Sequence, residues 1–266
     1  MIEFRNPYSD VFPPGSIVQI LSHPVKEKAM VELAVFQSHR YAFFFWNQWT
    51  NQLKQSNPPC LVTLDWHQDL LYPCELEKEW LSNLNQKSDI DVAIFSWTKL
   101  AENNDGHILS AAYLNLIGNI YVHCRQGTHE SQWRDEELID IQGNKHIVKK
   151  FKTLEDLGRH LLLTDEHNVY FDIDLDFFTH KNPYNGVGEK FTYVKKLDIN
   201  KFLSFDTPLI KWIFERLCGF TIATEPEHCG GLIKANELLA TLDTLYFKPM
   251  LFTDKCDWKH KCHILK

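Results

Sequence analysis

Short apolar runs alternate along the chain with longer segments of helical periodicity. The apolar runs predict strands over residues 30–36, 91–97, 119–124 and 219–224, and at the two runs that begin at residues 61 and 168. The segments of helical type cover residues 41–55, a stretch that begins near 107, one that opens at 152–157, and residues 208–217 and 234–245. Strands that alternate with helices form a mostly parallel sheet covered on both faces. The pattern therefore predicts an α/β fold with three layers, α/β/α.

Two segments lack both patterns and are predicted to lie at the surface as loops. Residues 125–145 are charged and rich in turn formers, and residues 181–201 contain the turn sequence NPYNG. The composition, 44% hydrophobic and 24% charged over 266 residues, is that of an ordinary globular protein. We predict that residues 1–266 form a single domain.

Charge and cysteine usage narrow the class of protein. The formal net charge is -7 and no block of lysine or arginine is present, so we expect no nucleic-acid partner, whereas a cationic substrate would be attracted. No apolar run is long enough to span a membrane, and the N-terminus lacks the pattern of a signal peptide. The seven cysteines are scattered without a C-x-x-C pair, which is typical of reduced thiols. We therefore expect a cytoplasmic protein with no membrane partner, and the pattern leaves the oligomeric state open.

A cluster near the C-terminus has the residue types of a zinc site: Cys256, His260, Cys262 and His263. Its spacing matches no common zinc finger, so a frayed tail is the favoured interpretation. We assign this cluster no function.

The first candidate for chemistry follows the apolar run that begins at residue 61. Asp65, His67 and Asp69 occupy alternate positions where this strand should give way to a loop. Alternate positions of a strand point to the same side, so the three side chains converge. Carboxylates together with an imidazole suit a hard or borderline divalent ion such as manganese. A capped strand followed by solvated acids is an equally good interpretation of this stretch alone.

The run that begins at residue 168 repeats this design. It ends in Asp172, Asp174 and Asp176, again at alternate positions. Three aspartates on one side of a strand repel one another unless cations lie between them. In parallel sheets, sites form beyond the carboxyl ends of the strands, where both acidic stretches fall. The two stretches together favour a metal site over two unrelated capped strands.

Three further candidates stand near predicted strand ends. His39 lies where the strand over residues 30–36 gives way to a helix, and Glu225 and Glu227 follow the strand over residues 219–224. Taken alone, His39 is a polar residue near a helix N-terminus, and either glutamate is a turn acid. Their expected position beside the two acidic stretches makes them candidates for the same site.

At these residues the chain resembles a known family. The pattern D-x-H-x-D from residue 65, followed by D-x-D from residue 172, resembles the two-manganese signature of the arginase (ureohydrolase) superfamily, in which a histidine from an earlier strand end completes the site. The blocks QSHR, LDWHQDL, FDIDLDFF and IATEPEHCGG, spread over about residues 30–245, more closely resemble a branch that includes peptide arginases. Peptide arginases convert arginine side chains of ribosomally made precursor peptides to ornithine, with release of urea. The resemblance implies an arginase-like fold and this activity.

The resemblance also implies a set of metal ligands. One manganese ion would be held by His39, Asp65, Asp69 and Asp172, and a second by Asp65, His67, Asp172 and Asp174. Four aspartates would balance two double charges, and a water shared by two such ions is acidic enough to attack a guanidinium carbon near neutral pH. Asp176 has no role in this pattern: it either orients one of the two histidines or points elsewhere.

The reaction also needs an anchor for the guanidinium and a proton donor for the departing amine. A carboxylate opposite the metal ions holds the planar cation through paired hydrogen bonds. Superfamily strand position favours Glu225 for this role, and the Pro-Glu pattern of the closer branch favours Glu227, which we prefer. For the proton, His107 stands at a predicted helix start, broadly where arginases carry such a histidine, and His228 and His180 are the alternatives.

Two departures from the arginase pattern carry information. The superfamily's Gly-Gly-Asp-His is here Gln37-Ser38-His39, so this histidine matches the family less closely than the triplet does. Enzymes that act on free arginine place an asparagine soon after the triplet to hold the carboxylate of the amino acid, whereas this chain has LLYP over residues 70–73. A site without that polar contact should bind an arginine whose amino and carboxyl groups are already in peptide bonds.

The sequence therefore predicts a manganese-dependent amidinohydrolase that acts on an arginine-containing precursor peptide. The alternatives are hydrolysis of a small guanidino or acylated amine substrate, as in ureohydrolases and single-zinc deacetylases, a two-metal phosphoesterase, and a non-catalytic, metal-stabilised peptide-binding protein. His39 and Asp69 argue against a single-zinc site, and no arginine-rich phosphate clamp is visible.

Overall fold

The computed structural model of this protein describes residues 11–53, 57–100, 104–127, 129–180 and 191–259. The strands are β1 (Ile17–Ser22), β2 (Met30–Phe36), β3 (Cys60–Leu64), β4 (Ile120–His123), β5 (Glu136–Ile139), β6 (Lys145–Phe151), β7 (Val169–Asp174), β8 (Thr179–His180), β9 (Thr192–Tyr193), β10 (Leu217–Ala223), β11 (Phe247–Lys248) and β12 (Asp257–Trp258). The α-helices are α1 (Ala42–Gln52), α2 (Glu75–Asn83), α3 (Asp89–Thr98), α4 (His107–Tyr113), α5 (Leu154–Leu161), α6 (Lys196–Phe202), α7 (Pro208–Glu215) and α8 (Leu232–Tyr246). Short 3-10 helices cover His39–Tyr41, Glu130–Trp133 and Leu175–Phe178.

Eight of these strands form one sheet, in the order β1-β2-β10-β7-β3-β4-β6-β5. The strands from β2 to β6 in this order run parallel to their neighbours, and the edge strands β1 and β5 pair antiparallel. Two small antiparallel pairs, β8 with β9 and β11 with β12, lie outside this sheet. A large, mostly parallel sheet with flanking helices confirms the predicted α/β class.

Two hydrophobic clusters attach the helices to the sheet. On β7, Phe171 and Ile173 belong to one cluster and Tyr170 to the other, because successive side chains of a strand point to opposite faces. The cluster around Phe171 includes residues of α5, α6, α7 and α8, whereas the cluster around Tyr170 includes residues of α1, α2, α3 and α4. Each large apolar side chain buried there contributes about 1.5–3 kcal/mol. The first four helices and the last four therefore cover opposite faces, which is consistent with three layers.

Capping residues start several helices where the sequence predicts them. Thr153 accepts a hydrogen bond from the backbone N–H of Asp156 and begins α5, and Thr207 caps α7 ahead of Pro208 in its first turn. The strand over residues 30–36 and the helix that begins near residue 107 are also confirmed. The helix predicted over 41–55 ends at Gln52, and residues 54–56 lie outside the described residues.

The strand predicted over residues 91–97 is wrong, because this segment lies within helix α3. Ser88 caps the helix by accepting a hydrogen bond from the N–H of Asp91. One helix face is buried and packs in the α1–α4 layer: Val92, Ala93, Phe95 and Ser96. The opposite face exposes large apolar side chains that imitate a continuous strand run: Ile90, Ile94 and Trp97. Apolar residues on both faces thus hid the helical period.

The two predicted loops contain regular structure. Residues 125–145 include β5 and the first residue of β6, and these two strands form a hairpin at one edge of the sheet. Residues 191–201 include β9 and most of α6, while residues 181–190, with the NPYNG turn, lie outside the described residues. The strand β1 and the helix α2 were not predicted. Each has a single buried residue, Leu21 in β1 and Leu81 in α2, so neither shows a clear periodic pattern.

No helix in the part of the chain that the structure describes is long and apolar enough to cross a membrane. The six described cysteines are free thiols: Cys60, Cys74, Cys124, Cys218, Cys229 and Cys256. Of the C-terminal cluster only Cys256 is among the described residues, so the prediction about that cluster stays a prediction.

Candidate metal centre

The candidate site lies beyond the carboxyl ends of four neighbouring parallel strands. His39 follows β2, Asp65 follows β3, Asp174 ends β7 and Glu225 follows β10. These strands are adjacent in the order β2-β10-β7-β3, so their ends bring together residues far apart in sequence. His107 joins them from the first residue of α4.

His39 is completely buried at the centre of this group. Its Nδ1 atom lies 2.9 Å from Asp69 Oδ2, 3.4 Å from Asp174 Oδ2 and 3.5 Å from Asp65 Oδ2. Burial by itself would lower the pKa of His39, but the surrounding carboxylates, Asp172 first among them, raise that pKa well above its usual value. Without a metal ion, the imidazole thus holds a proton on the side where the carboxylates converge.

Asp65 and Asp174 each present one buried oxygen atom that has no hydrogen-bond donor among the described residues, the Oδ2 atom in both cases. The other oxygen is held in place: Asp65 Oδ1 accepts from the N–H of His67 at 2.7 Å, and Asp174 Oδ1 accepts from the N–H of Asp176 at 3.0 Å. Burial, followed by repulsion from neighbouring carboxylates, raises the pKa of both acids well above its usual value. Buried carboxylate oxygens without donors fit a bound cation.

A second imidazole lies on the outer side of these two carboxylates. His67 Nδ1 lies 3.0 Å from Asp176 Oδ2 and 3.7 Å from Asp65 Oδ1. Asp176 is buried, and its Oδ1 atom accepts a hydrogen bond from the N–H of Trp66 at 3.0 Å. The ring of His228 lies 5.1 Å from the ring of His67, and the ligand atoms of His67, Asp176 and His228 lie within 4.8 Å of one another. The side chain of His67 is 24% exposed, so this half of the site reaches the surface.

Asp172 occupies a different environment from the other aspartates. Within the sheet, it pairs with Thr63 of β3 on one side and Thr221 of β10 on the other. Both threonine hydroxyls donate to it, at 2.7 and 2.6 Å, and His39 Nε2 donates to it at 2.8 Å. Both oxygens of Asp172 therefore have donors, and the carboxylate orients the His39 ring from behind. Asp176 extends past the strand end instead, which the third position of the D-x-D-x-D run could have indicated.

Glu225 and Glu227 both line the cavity but differ in burial. Glu225 is buried, and its Oε1 atom accepts from the N–H of His39 at 2.9 Å and from Asn104 Nδ2 at 2.6 Å. Burial raises the pKa of Glu225 to about 7. Glu227 is exposed at the cavity mouth. Sequence reasoning missed Asn104, which has no motif of its own and precedes His107 by one helical turn.

Backbone strain is concentrated at this site. Asp69, Asn104 and Glu225 have positive φ angles of 52°, 59° and 29°, and they are three of the six described non-glycine residues with positive φ. Such conformations cost roughly 1–3 kcal/mol each and persist where the surrounding contacts impose them. All three residues line the cavity, so the fold holds the backbone around it in energetically unfavourable conformations.

A cavity of about 590 Å³ opens onto the centre. It is lined by His67, Gln68, Asp69, Leu70, Leu71, Asn104, Asp105, Gln126, Glu225, Glu227 and His228. A second cavity, of about 390 Å³ around Arg40 and Tyr41, shares Asn104 and Glu227 with the first. The two cavities therefore adjoin at these two residues.

The three histidines considered as proton donors lie in different places. His107 is completely buried and does not line the cavity, and burial together with the nearby His39 lowers its pKa well below the usual value. His228 lines the cavity, and its Nε2 atom lies 3.8 Å from Glu225 Oε2. His180 is exposed and contacts Arg125 at 2.9 Å, away from the cavity lining.

Histidines and aspartates in this protein form groups that could hold a metal ion, and these groups lie on two sides of Asp65. On the inner side are His39, Asp69 and His107, and His39, Asp65 and Asp174; on the outer side are His67, Asp176 and His228. The chemistry of the donors, carboxylate oxygen with imidazole nitrogen, suits divalent ions such as manganese or zinc. A scan of the chain against protein-family models finds no matching family, and a search of curated proteins finds no match.

Proposed function

We propose that this protein is a manganese-dependent amidinohydrolase of arginase-like fold that converts arginine side chains of a precursor peptide to ornithine. The reaction consumes one water: the bond between the guanidinium carbon and the side-chain nitrogen breaks, urea leaves, and an amine remains on the peptide. The observation that carries the proposal is the pair of donor-free oxygens on Asp65 and Asp174, placed between two imidazole–carboxylate pairs. Two half-sites, each with an imidazole and a carboxylate, support a centre of two ions over a centre of one.

The ligand set that fits this geometry differs in one member from the set implied by the sequence. The inner ion would take His39 and Asp69, the outer ion His67 and Asp176, and the two would share Asp65 and Asp174. Asp172 would not be a ligand, because threonine and histidine donors already occupy both of its oxygens. When bound, two divalent ions supply Lewis acidity and lower the pKa of water towards neutrality.

Glu225 is the better anchor for the guanidinium, in place of the preferred Glu227. Its Oε1 atom is fixed by His39 and Asn104, which leaves Oε2, the atom near His228, for the substrate. An arginine side chain that binds there would keep Glu225 ionised, because a neighbouring cation lowers the pKa of a carboxyl group. Glu227 stands at the cavity mouth, where it attracts a cation without fixing its orientation.

His228 is the better proton donor for the departing amine. It lines the cavity beside Glu225 and His67, so it can reach both a bound side chain and solvent. His107, our first choice from the sequence, lies behind His39 with no surface in the cavity.

The lining of the cavity and the cavity beside it support a peptide substrate. Leu70 and Leu71 line it where free-arginine enzymes carry a polar contact to the amino acid, and Leu71 is exposed. The adjoining cavity around Arg40 provides room for chain on the far side of Glu227. An arginine within a peptide therefore has space for its neighbours, whereas free arginine would leave this space empty.

Mass spectrometry tests the proposal directly. An arginine-containing precursor peptide incubated with the protein and Mn²⁺ should lose the mass of CN₂H₂ per processed arginine, and free arginine and agmatine serve as competing substrates. Glu225→Gln should abolish turnover, whereas the matched variant Glu227→Gln should mainly raise KM. Faster turnover of free arginine, or no product from protein that carries two ions per chain, would contradict the assignment.

A further inference from the structure

We propose that His107 is an additional ligand of the inner ion, so that the two ions differ in affinity. The inner ion would be bound by two imidazoles and would resist removal, and the outer ion would exchange. This inference rests on the proposed two-ion centre and changes its composition. It also gives His107 a role other than the proton donor predicted from the sequence.

The first observation is an orphaned nitrogen atom. His107 is completely buried at the first residue of α4, and its Nε2 atom has no hydrogen-bond partner among the described residues. Trp46 stacks on its ring at 5.7 Å, and the ring of His39 lies 4.3 Å away. A buried polar atom without a partner costs roughly 1–3 kcal/mol. This unsatisfied Nε2 atom lies beside the centre, where a bound cation would give it a partner.

The second observation is the tautomer of His107. Its Nδ1 atom lies 2.8 Å from the backbone oxygen of Asn104. A carbonyl oxygen can only accept, so Nδ1 carries the hydrogen and Nε2 carries the lone pair. Histidines that bind metals usually donate their other ring N–H to a carbonyl or carboxylate in this way. His39 has the same design, since its Nε2 atom donates to Asp172 while Nδ1 faces the centre.

The third observation is the spacing of the donors. One ligand atom each from His39, Asp69 and His107 lie within 4.8 Å of one another. Two ligands on opposite sides of one ion, with bonds of about 2.1 Å, are about 4.2 Å apart. The three donors are therefore close to the spacing that a single ion requires.

These contacts make the two halves of the centre unequal. The inner half contains His39, His107 and Asp69, of which both histidines are completely buried. The outer half contains His67, 24% exposed, Asp176 and His228, and both of its histidines line the cavity. The two halves therefore offer the same types of donor but differ in burial, and the two imidazoles that would hold the inner ion do not line the cavity. A chelator should remove the outer ion first.

Stepwise removal of metal tests this inference. Protein loaded with Mn²⁺ is dialysed against increasing EDTA, and ions per chain are counted by elemental analysis. The wild-type protein should pass through a stable state with one ion, and His107→Gln should lower the affinity of that retained ion by about 100-fold. His67→Gln should lose only the exchangeable ion. His123→Gln is the matched control, because His123 is also buried and bonded through Nδ1 to a carbonyl, that of Phe151, but lies outside the metal groups.

A measurement on the unchanged protein guards against a variant that fails to fold. Pulsed EPR of the one-ion Mn²⁺ state should detect two imidazole nitrogens on the metal. A single imidazole, or an unchanged retained ion in folded His107→Gln, would overturn the role of His107 and leave the two-ion centre intact. Wild-type protein that binds no ion at all would overturn this inference and the proposed function together.

Discussion

The two faces of strand β7 differ sharply although their residues alternate along a single segment. On the α5–α8 face, Phe171 stacks on Phe220 with ring centroids 4.9 Å apart, and Ile173 is fully buried beside them. On the α1–α4 face, Asp172 and Asp174 occupy the intervening positions and are equally buried. The strand thus separates an apolar core from a polar centre by the width of one backbone.

Stability and chemistry therefore depend on different faces of strand β7. Apolar contacts on the α5–α8 face favour folding, whereas burial raises the pKa of Asp65, Asp174 and Glu225 on the other face, so their ionised forms oppose it. For an acid with a raised folded-state pKa, the stabilising contribution is complete below the unfolded-state pKa and is lost as pH rises through the folded-state value. The metal-free centre should therefore weaken the fold towards neutral pH.

The largest effect is expected from Asp174→Asn on the polar face. Loss of a shared ligand should lower turnover of the peptide by about 10⁴-fold, equivalent to about 5 kcal/mol of activation free energy. The same change should raise the free energy of unfolding of the metal-free protein by roughly 1–3 kcal/mol, because it removes a buried charge. Peptide mass spectrometry and urea unfolding measure the two quantities.

The fully exposed Asp165 provides the control for this experiment, since Asp165→Asn should change neither quantity. If Asp174→Asn left turnover intact, or destabilised the metal-free protein, the polar face would not be a strained metal site.

On the apolar face, Phe171→Ala should lower the free energy of unfolding by about 3–5 kcal/mol, because it opens a cavity beside Phe214 and Phe220. Metal bound per folded chain should stay unchanged. Ile173→Val is a milder change on the same face, and it should lower the free energy of unfolding by about 0.5–1.5 kcal/mol. Denaturant titration together with elemental analysis checks both, and a loss of metal from folded Phe171→Ala would show that the faces are not independent.

Asp172→Asn distinguishes a residue that orients a ligand from a ligand itself. If Asp172 only positions His39, this variant should weaken metal binding by about 10–100-fold, whereas the parallel variant Asp176→Asn should cause a much larger loss. Isothermal titration with Mn²⁺ gives both affinities. A near-complete loss in Asp172→Asn with a smaller loss in Asp176→Asn would restore the ligand set implied by the sequence.

The smallest effect concerns pH and His123, which packs against Phe177 with ring centroids 5.4 Å apart. Burial lowers the pKa of His123 to about 4. For a lowered folded-state pKa, the stability is present above the unfolded-state value and is lost as pH falls, which is the opposite sign to the acids of the polar face. At pH 5.5 the need to keep His123 neutral should cost the wild-type protein about 1 kcal/mol of unfolding free energy, and His123→Gln should lack this cost. Urea unfolding measured against pH checks the difference. An unchanged pH profile would show that this histidine is not kept neutral by the fold.

Secondary structure was predictable in segments whose apolar residues follow a single period. β2, β7 and β10 combine apolar runs with polar residues at the strand end, and α5 has a capping threonine, so both their type and their place follow from local pattern. In contrast, α3 exposes large apolar residues and β6 contains three lysines and few apolar residues, so neither presents a clear pattern. Such segments take their structure from the layer against which they pack.

The order of the strands also made part of the site predictable. Parallel strands place their carboxyl ends at one edge, so residues that follow them meet even when they are distant in sequence. For this reason the chain alone indicated that His39, Asp65, Asp69, Asp174 and Glu225 belong near one another. The cavity-forming Asn104 gave no such signal, because it follows no strand and belongs to no motif.

The amino-acid sequence by itself determined the α/β class and the side of each strand on which the acids lie, because both depend on periods of two and 3.6 residues. Only the tertiary structure decided which of two nearby residues of the same type is available for binding. Asp172 lies between two threonines while Asp176 reaches past the strand end, and Glu225 is buried while Glu227 is exposed. The physical reason is that spacing orients a side chain, whereas its hydrogen-bond donors and its access to solvent come from other strands and loops.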